Sequence, residues 1–218
     1  MKINNVETLF EKTLQDSQLS LKQQDVLKAS LKLFAIQGFD RTTSSEIAAQ
    51  AGVSEGTVFK QFKTEQGILK ALLEPFIEQV IPMAATEFLS EIKLNQFSDF
   101  ESFLHYVIQD RMTFAVANLQ QLKVFLQEII HNPKVLETLS TKWATMVRGN
   151  INRLLGYFKQ QGQLVDWPDE RIIRYFVSTV LGYILPLVLF DVTGAFDVEQ
   201  KSAEATEFLV CGLTPKSE

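Results

Sequence analysis

The stretch Ser54-Glu55-Gly56-Thr57, with Phe59, Lys60 and Gln61 behind it, offers the chemistry of recognition. Hydroxyls and backbone N–H groups bind phosphate oxygens, and lysine neutralises them. Small side chains let a helix sit deep in the DNA major groove. Covalent chemistry is poorly served by comparison. The chain has two histidines, His105 and His131, far apart in sequence, and one cysteine, Cys211. There is no His-x-x-x-His pair, Cys-x-x-Cys pair, phosphate-binding glycine loop or serine elbow. Glu128-x-x-His131 supplies one of the two Glu-x-x-His arrangements that helical di-iron proteins need. The sequence therefore predicts no enzyme, no catalytic residue, no metal site and no cofactor.

A recognition group needs a frame, and residues 20–72 predict one. Val26, Leu27, Ser30, Leu31, Phe34 and Ala35 share one face of a helix. Ser20 with Gln23 fits a capping box at its start, and Gly38 fits its end. Thr42 or Thr43 caps the next helix, and Glu46 would complete a box with Thr43. Ile47, Ala48 and Ala51 give that helix a small apolar face. Gly52 supports a sharp turn, Val53 plugs the space below it, and Ser54 caps the following helix. There Val58 and Phe62 point inward, four residues apart. Two helices this short need a third behind them, and one face is then left to solvent. A plain helical hairpin is the alternative reading; a helix presented to the DNA major groove is the functional one.

The run LFAIQGFDRTTSSEIAAQAGVSEGTVFKQFKTEQGIL, Leu33 to Leu69, resembles the DNA-binding domain of the TetR family of transcriptional regulators. IAAQAGVSEGTVF is its most diagnostic part, and the close resemblance covers about residues 22 to 72. It implies an all-α protein: a three-helix DNA-binding head, 20–72, and a larger helical body for ligand binding and dimerisation, 73–218. It implies a homodimer that binds a palindromic operator in the cytoplasm, most often as a repressor released by a small ligand. Carried over by position, Thr43, Ser44 and Ser45 open the supporting helix. Ser54, Glu55, Gly56, Thr57, Phe59, Lys60 and Lys63 line the DNA-facing side. Two residues depart from the family pattern. Phe59 stands where Tyr is common, removing a phosphate-binding hydroxyl. Glu65 stands where Lys is common and would serve the N-terminus of its own helix instead. Lys63 would supply the lost cation.

Composition agrees with a folded helical protein. Hydrophobic residues make up 46% of the chain and Phe alone 17 positions, enough for a sizeable core. Net charge is −5, but residues 20–72 carry seven cations against five anions, leaving −7 to the rest. An acidic body repels DNA and leaves the mildly basic head as the docking surface. No secretory signal is visible in Met1 to Gln15. Residues 3 to 15, within an N-terminal segment 1–19, predict a docked extra helix; a minor-groove arm is the alternative. Cys211, between Leu209 and Leu213, predicts a buried thiol.

Further helices are expected from Thr64, broken or kinked at Pro75 and Pro82, and from Ser98 to about Asn118. Others should run from Leu119 to His131, from Asn132–Pro133 to about Gln161, from Pro168 to about Val192, and from Asp197 or Val198 to Gly212. No stretch alternates long enough to propose a strand. The apolar run Phe176 to Phe190 would span about 22 Å as a helix, short for a bilayer core of about 30 Å. No membrane partner is expected.

By position, the last two long helices resemble the family's dimer-forming pair. The expected interface is Ile173, Phe176, Val177, Val180, Ile184 and Leu187 with Thr206, Phe208 and Leu209. Burial of both helices within one subunit is the alternative. A small hydrophobic ligand would be held by Phe103, Tyr106, Phe114, Asn118, Gln121, Phe125, Trp143 and Tyr183, with His105 and Arg111 as further polar candidates. The rival reading of the whole is a helical carrier of hydrophobic ligands without DNA binding.

Overall fold

The computed structural model describes residues 5–131, 137, 141, 150–190 and 196–215. Every long element among them is helical, so the all-α expectation holds. The helices are α1 (Val6–Gln15), α2 (Leu21–Gln37), α3 (Ser44–Ala51), α4 (Glu55–Phe62), α5 (Glu65–Pro75), α6 (Ile81–Glu91), α7 (Phe100–Ala117), α8 (Leu119–His131), α10 (Asp169–Phe190) and α11 (Val198–Leu213). A helix whose described part is 150–160 is α9. They fall into two compact units. One contains α1 to α5 and α8; the other contains α7, α9, α10 and α11; α6 is divided between them after Thr86.

In the first unit, α1 is a docked helix and not an extended arm. Asn5 caps it by accepting from the Glu7 and Thr8 N–H groups. Val6, Leu9, Phe10 and Leu14 are buried, each large side chain contributing about 1.5–3 kcal/mol. Phe10 stacks on Phe76 with ring centroids 4.6 Å apart, and Phe76 meets Phe125 at 4.1 Å. Lys32 reaches Glu7 at 3.4 Å.

The backbone stays helical through Pro75 and Pro82, with its hydrogen-bond ladder altered between them. Pro75 closes α5, and Phe76–Val80 forms a widened π turn that leads directly into α6. The Ile81 N–H donates to the Phe76 carbonyl, five residues back. Proline lacks an N–H and its ring crowds the carbonyl four residues earlier. For Pro82 that residue is Glu78, inside the widened turn, which takes up the crowding without ending the helix.

The core of the second unit is aromatic. Phe100, Phe103 and Phe158 are buried and pack edge to face or tilted, with centroids 4.9 to 6.4 Å apart. Helix α7 starts one residue later than expected. Asp99, not Ser98, is its cap, because its carboxylate accepts from the Ser102 N–H at 2.7 Å while Ser98 donates to that same carboxylate. These bonds, the Ser102 N–H first, hold the Asp99 carboxyl below its ordinary range.

Helix α10 is longer than its apolar run, because Asp169 to Tyr175 precede Phe176 in the same helix. At 22 residues it is long and apolar enough to cross a membrane by length and composition. Within its own unit it packs against α7 and α11. Cys211 is exposed, contrary to the buried thiol expected. Leu209 and Leu213, four residues apart, turn inward, and Cys211 falls between them on the other side. The expected helix start at Asn132–Pro133 and the expected end of α10 near Val192 lie outside the described residues.

Candidate nucleic-acid interface

Local rules build the supporting helices. Ser20 and Gln23 close a capping box on α2, and Val26, Leu27, Ser30, Leu31 and Phe34 are buried along it. Gly38 ends α2 at φ 85°, ψ 159°, outside the left-handed helical well but still a positive φ. The Thr42 hydroxyl donates to the Gly38 carbonyl, leaving Thr43 as the cap of α3. Glu46 returns to Thr43, accepting from its N–H at 2.8 Å and its hydroxyl at 2.9 Å, and also takes a bond from Gln37. These bonds, the Thr43 N–H first, keep the Glu46 carboxyl below its ordinary range.

The turn and α4 follow. Gly52 adopts the left-handed conformation at φ 67°, ψ 30° and donates to the Ala48 and Ala49 carbonyls. Ser54 accepts from the Thr57 N–H at 3.2 Å, and the two hydroxyls share a hydrogen bond of 2.9 Å. Val58 and Phe62 are buried, as their spacing requires. Glu55, Gly56, Phe59, Lys60 and Gln61 are exposed, with 45% of Phe59 open to solvent. Lys63 ends α4 at φ 69°, ψ −47°, and Thr64 N–H donates to the Phe62 carbonyl at 2.8 Å. A non-glycine residue held there costs of order 1–3 kcal/mol. The turn leaves Lys63 exposed beside α4.

Two long-range bonds tie the three helices together, and neither was expected. The Ser44 hydroxyl donates to Glu55 Oε1 at 2.8 Å, and the Ser44 N–H donates to Glu65 Oε1 at 3.3 Å. Ser44 is only 5% exposed. Glu65 thus answers the N-terminus of α3, where the sequence suggested that it would serve its own helix. A glutamate at the start of α5 was the sequence signal; which helix it would reach was not readable.

Of the residues assigned to DNA, Thr43, Ser45, Ser54, Glu55, Gly56, Phe59, Lys60 and Lys63 are exposed, Thr57 is half-buried and Ser44 is buried. The ligand candidates are distributed differently. Phe103, Tyr106, Phe114, Asn118 and Tyr183 belong to one unit, Gln121 and Phe125 to the other, and Trp143 lies outside the described residues. Phe103 packs in the aromatic core. Asn118 donates to the Phe114 carbonyl at 2.8 Å. Arg111 pairs with Asp110 and lies over the Phe88 and Phe114 rings at 3.8 and 5.0 Å. Tyr106 lines an open groove of about 560 Å³ with Glu91, Gln96 and Phe97. Burial, then Asp110 and Glu91, push its phenol above the ordinary range. His105 faces the Thr206 hydroxyl at 3.4 Å.

Of the interface candidates, Val180, Leu187, Thr206 and Leu209 are already buried within the single chain. Ile173, Phe176, Val177 and Ile184 are half-buried, and Phe208 is 70% exposed. Leu181, Leu189 and Phe190, not singled out from sequence, are also exposed. Hydrophobic period marks a face; it does not say whether the same chain or another covers it.

Residues 26–72 match the family model of bacterial regulatory proteins, tetR family. The chain is 46% identical over 48 residues to the HTH-type transcriptional regulator YvkB of Bacillus subtilis, covering 22% of this chain and 25% of that one. It is 24% identical over 199 residues to the fatty acid metabolism regulator protein of the same organism, covering 89% and 97%. The crystal structure of the Bacillus subtilis regulator FadR in complex with stearoyl-CoA shares the fold, with a TM-score of 0.60 at 19% identity over 86% and 97% of the chains. A capped helix–turn–helix and its diagnostic tract converge with that match: residues 26–72 form a DNA-binding domain of the tetR family of bacterial regulatory proteins, in a chain whose helical fold the solved regulators share.

Proposed function

We propose that the protein is a homodimeric, cytoplasmic repressor. Two heads, each 20–72, bind a palindromic operator, and a small hydrophobic ligand entering the body, 73–218, releases them. The observation that carries this reading is the outer face of α4. It is capped and held by two neighbouring helices, yet it presents Glu55, Gly56, Phe59 and Lys60 to solvent. The exposed Leu181, Leu189, Phe190 and Phe208 on α10 and α11 favour a second copy as their cover. The relative that regulates fatty acid metabolism favours a ligand with an acyl chain. No catalytic activity is part of this proposal, and a carrier without DNA binding would leave the α4 face without a role.

The test is selection of bound sequences from a random duplex library by the full-length protein at about physiological salt. A palindromic motif is expected. Failure to enrich any sequence, both alone and with cell extract to supply a missing ligand, overturns the proposal.

A further inference from the structure

We propose that Glu55 reads the major-groove amino group of a cytosine or adenine in each half-site, and that Ser44 positions its carboxylate for that contact. The inference rests on the DNA-binding reading above and names the chemistry that one position of the operator must carry. Glu55 is the first residue of α4 and is exposed. Its Oε1 accepts the buried Ser44 hydroxyl at 2.8 Å, and Ser44 is itself fixed through its N–H to Glu65. The hydroxyl proton of Ser44 is therefore spent on Glu55 and is not offered to a phosphate.

An ionised carboxylate only accepts hydrogen bonds, and so does a phosphate. Against the DNA backbone Glu55 is repelled. In the major groove the donors are the N4 amino group of cytosine and the N6 amino group of adenine, whereas guanine and thymine present acceptors at O6, N7 and O4. One carboxylate thus attracts two bases and repels the other two, the combination that discriminates best. The adjoining residue supports close approach. A Cβ built on Gly56 meets nothing nearer than the Ser54 hydroxyl at 4.0 Å, so no neighbouring side chain crowds the surface beside Glu55.

The experiment repeats the random-duplex selection with wild type, Glu55→Ala, Glu55→Gln, Ser44→Ala and Ser44→Thr, each checked for an unchanged circular dichroism melt. Wild type should prefer cytosine or adenine about tenfold or more at one position per half-site. Glu55→Ala should erase that preference and leave the other positions intact. Glu55→Gln should move it to adenine, which an amide contacts through both N6 and N7. Ser44→Ala should weaken the preference at that position alone, and Ser44→Thr, which keeps the hydroxyl, should restore it. A wild-type motif that Glu55→Ala leaves unchanged at every position, with affinity raised uniformly, overturns the assignment and makes Glu55 a repulsive charge only. No motif from wild type overturns the DNA reading itself, and this assignment with it.

Discussion

The outer face of α4 and the outer faces of α10 and α11 are both left uncovered by the single chain, but they are made of opposite material. On α4, small and polar side chains surround one aromatic ring: Gly56, Glu55, Lys60 and Gln61 around Phe59. On α10 and α11, the large apolar side chains Leu189, Phe190 and Phe208 stand 55 to 72% exposed. A polar face loses little by staying wet, so its composition is free to match a polyanion. Exposed apolar side chains gain by being covered, at about 25 cal/mol per Å² buried. The difference suits the two surfaces to different kinds of partner, and each can be probed by substitutions on its own helices.

The largest effect should come from the apolar side. Phe208→Arg removes a side chain that has few contacts within its own chain and places a charge on the proposed dimer face. The protein should sediment as a monomer, and operator affinity should fall about 100-fold or more, because joining two heads multiplies affinity by roughly 10²–10⁴. Sedimentation paired with an operator titration checks this. A dimer of unchanged affinity would mean that this apolar face serves some other contact.

On the polar side, Lys60→Ala should weaken operator binding about tenfold and flatten its dependence on salt. Each phosphate contact contributes about 0.9 to the slope of log affinity against log salt for duplex DNA, so two heads should lose nearly 2. Stability should shift by no more than about 0.5 kcal/mol, since Lys60 is an exposed residue of α4. An unchanged slope would show that Lys60 does not reach a phosphate, and would leave Lys63, held beside α4 by its positive φ, as the cation to test.

The same two regions differ in how far the sequence revealed them. Ser20 with Gln23, Thr43 with Glu46, Gly52 and Ser54 all act over three or four residues, and the head could be laid out from them because such caps are local. What the sequence did not disclose there is long-range: Ser44 to Glu55 spans 11 residues and Ser44 to Glu65 spans 21. Pairing across helices depends on how they cross, which no spacing rule supplies. In the other unit the apolar period of α10 and α11 gave the helices but not the division of their faces. Val180 and Leu209 are buried within the chain while Phe208 is not. The aromatic residues fared similarly. Phe103 could line a pocket or fill a core by its type, and its neighbours Phe100 and Phe158 decide for the core. Pro75 and Pro82 were expected to break or kink the connecting helix; the backbone stays helical through both, and the irregularity takes the form of a widened turn between them.

The smallest expected effect separates fold from function most cleanly, and it falls on Gly56. Nothing in the protein demands glycine there: its φ is not positive, and an added Cβ meets only open space beyond the Ser54 hydroxyl at 4.0 Å. Glycine costs a helix up to about 1 kcal/mol relative to alanine, less in the first turn. Gly56→Ala should therefore raise thermal stability slightly while weakening operator binding several-fold, since the methyl group occupies the space left for DNA. A melting curve beside an operator titration reads both quantities. If stability and affinity rise together, the cleft beside Glu55 is not where DNA approaches, and α4 must meet the groove by its Phe59 and Lys60 side instead.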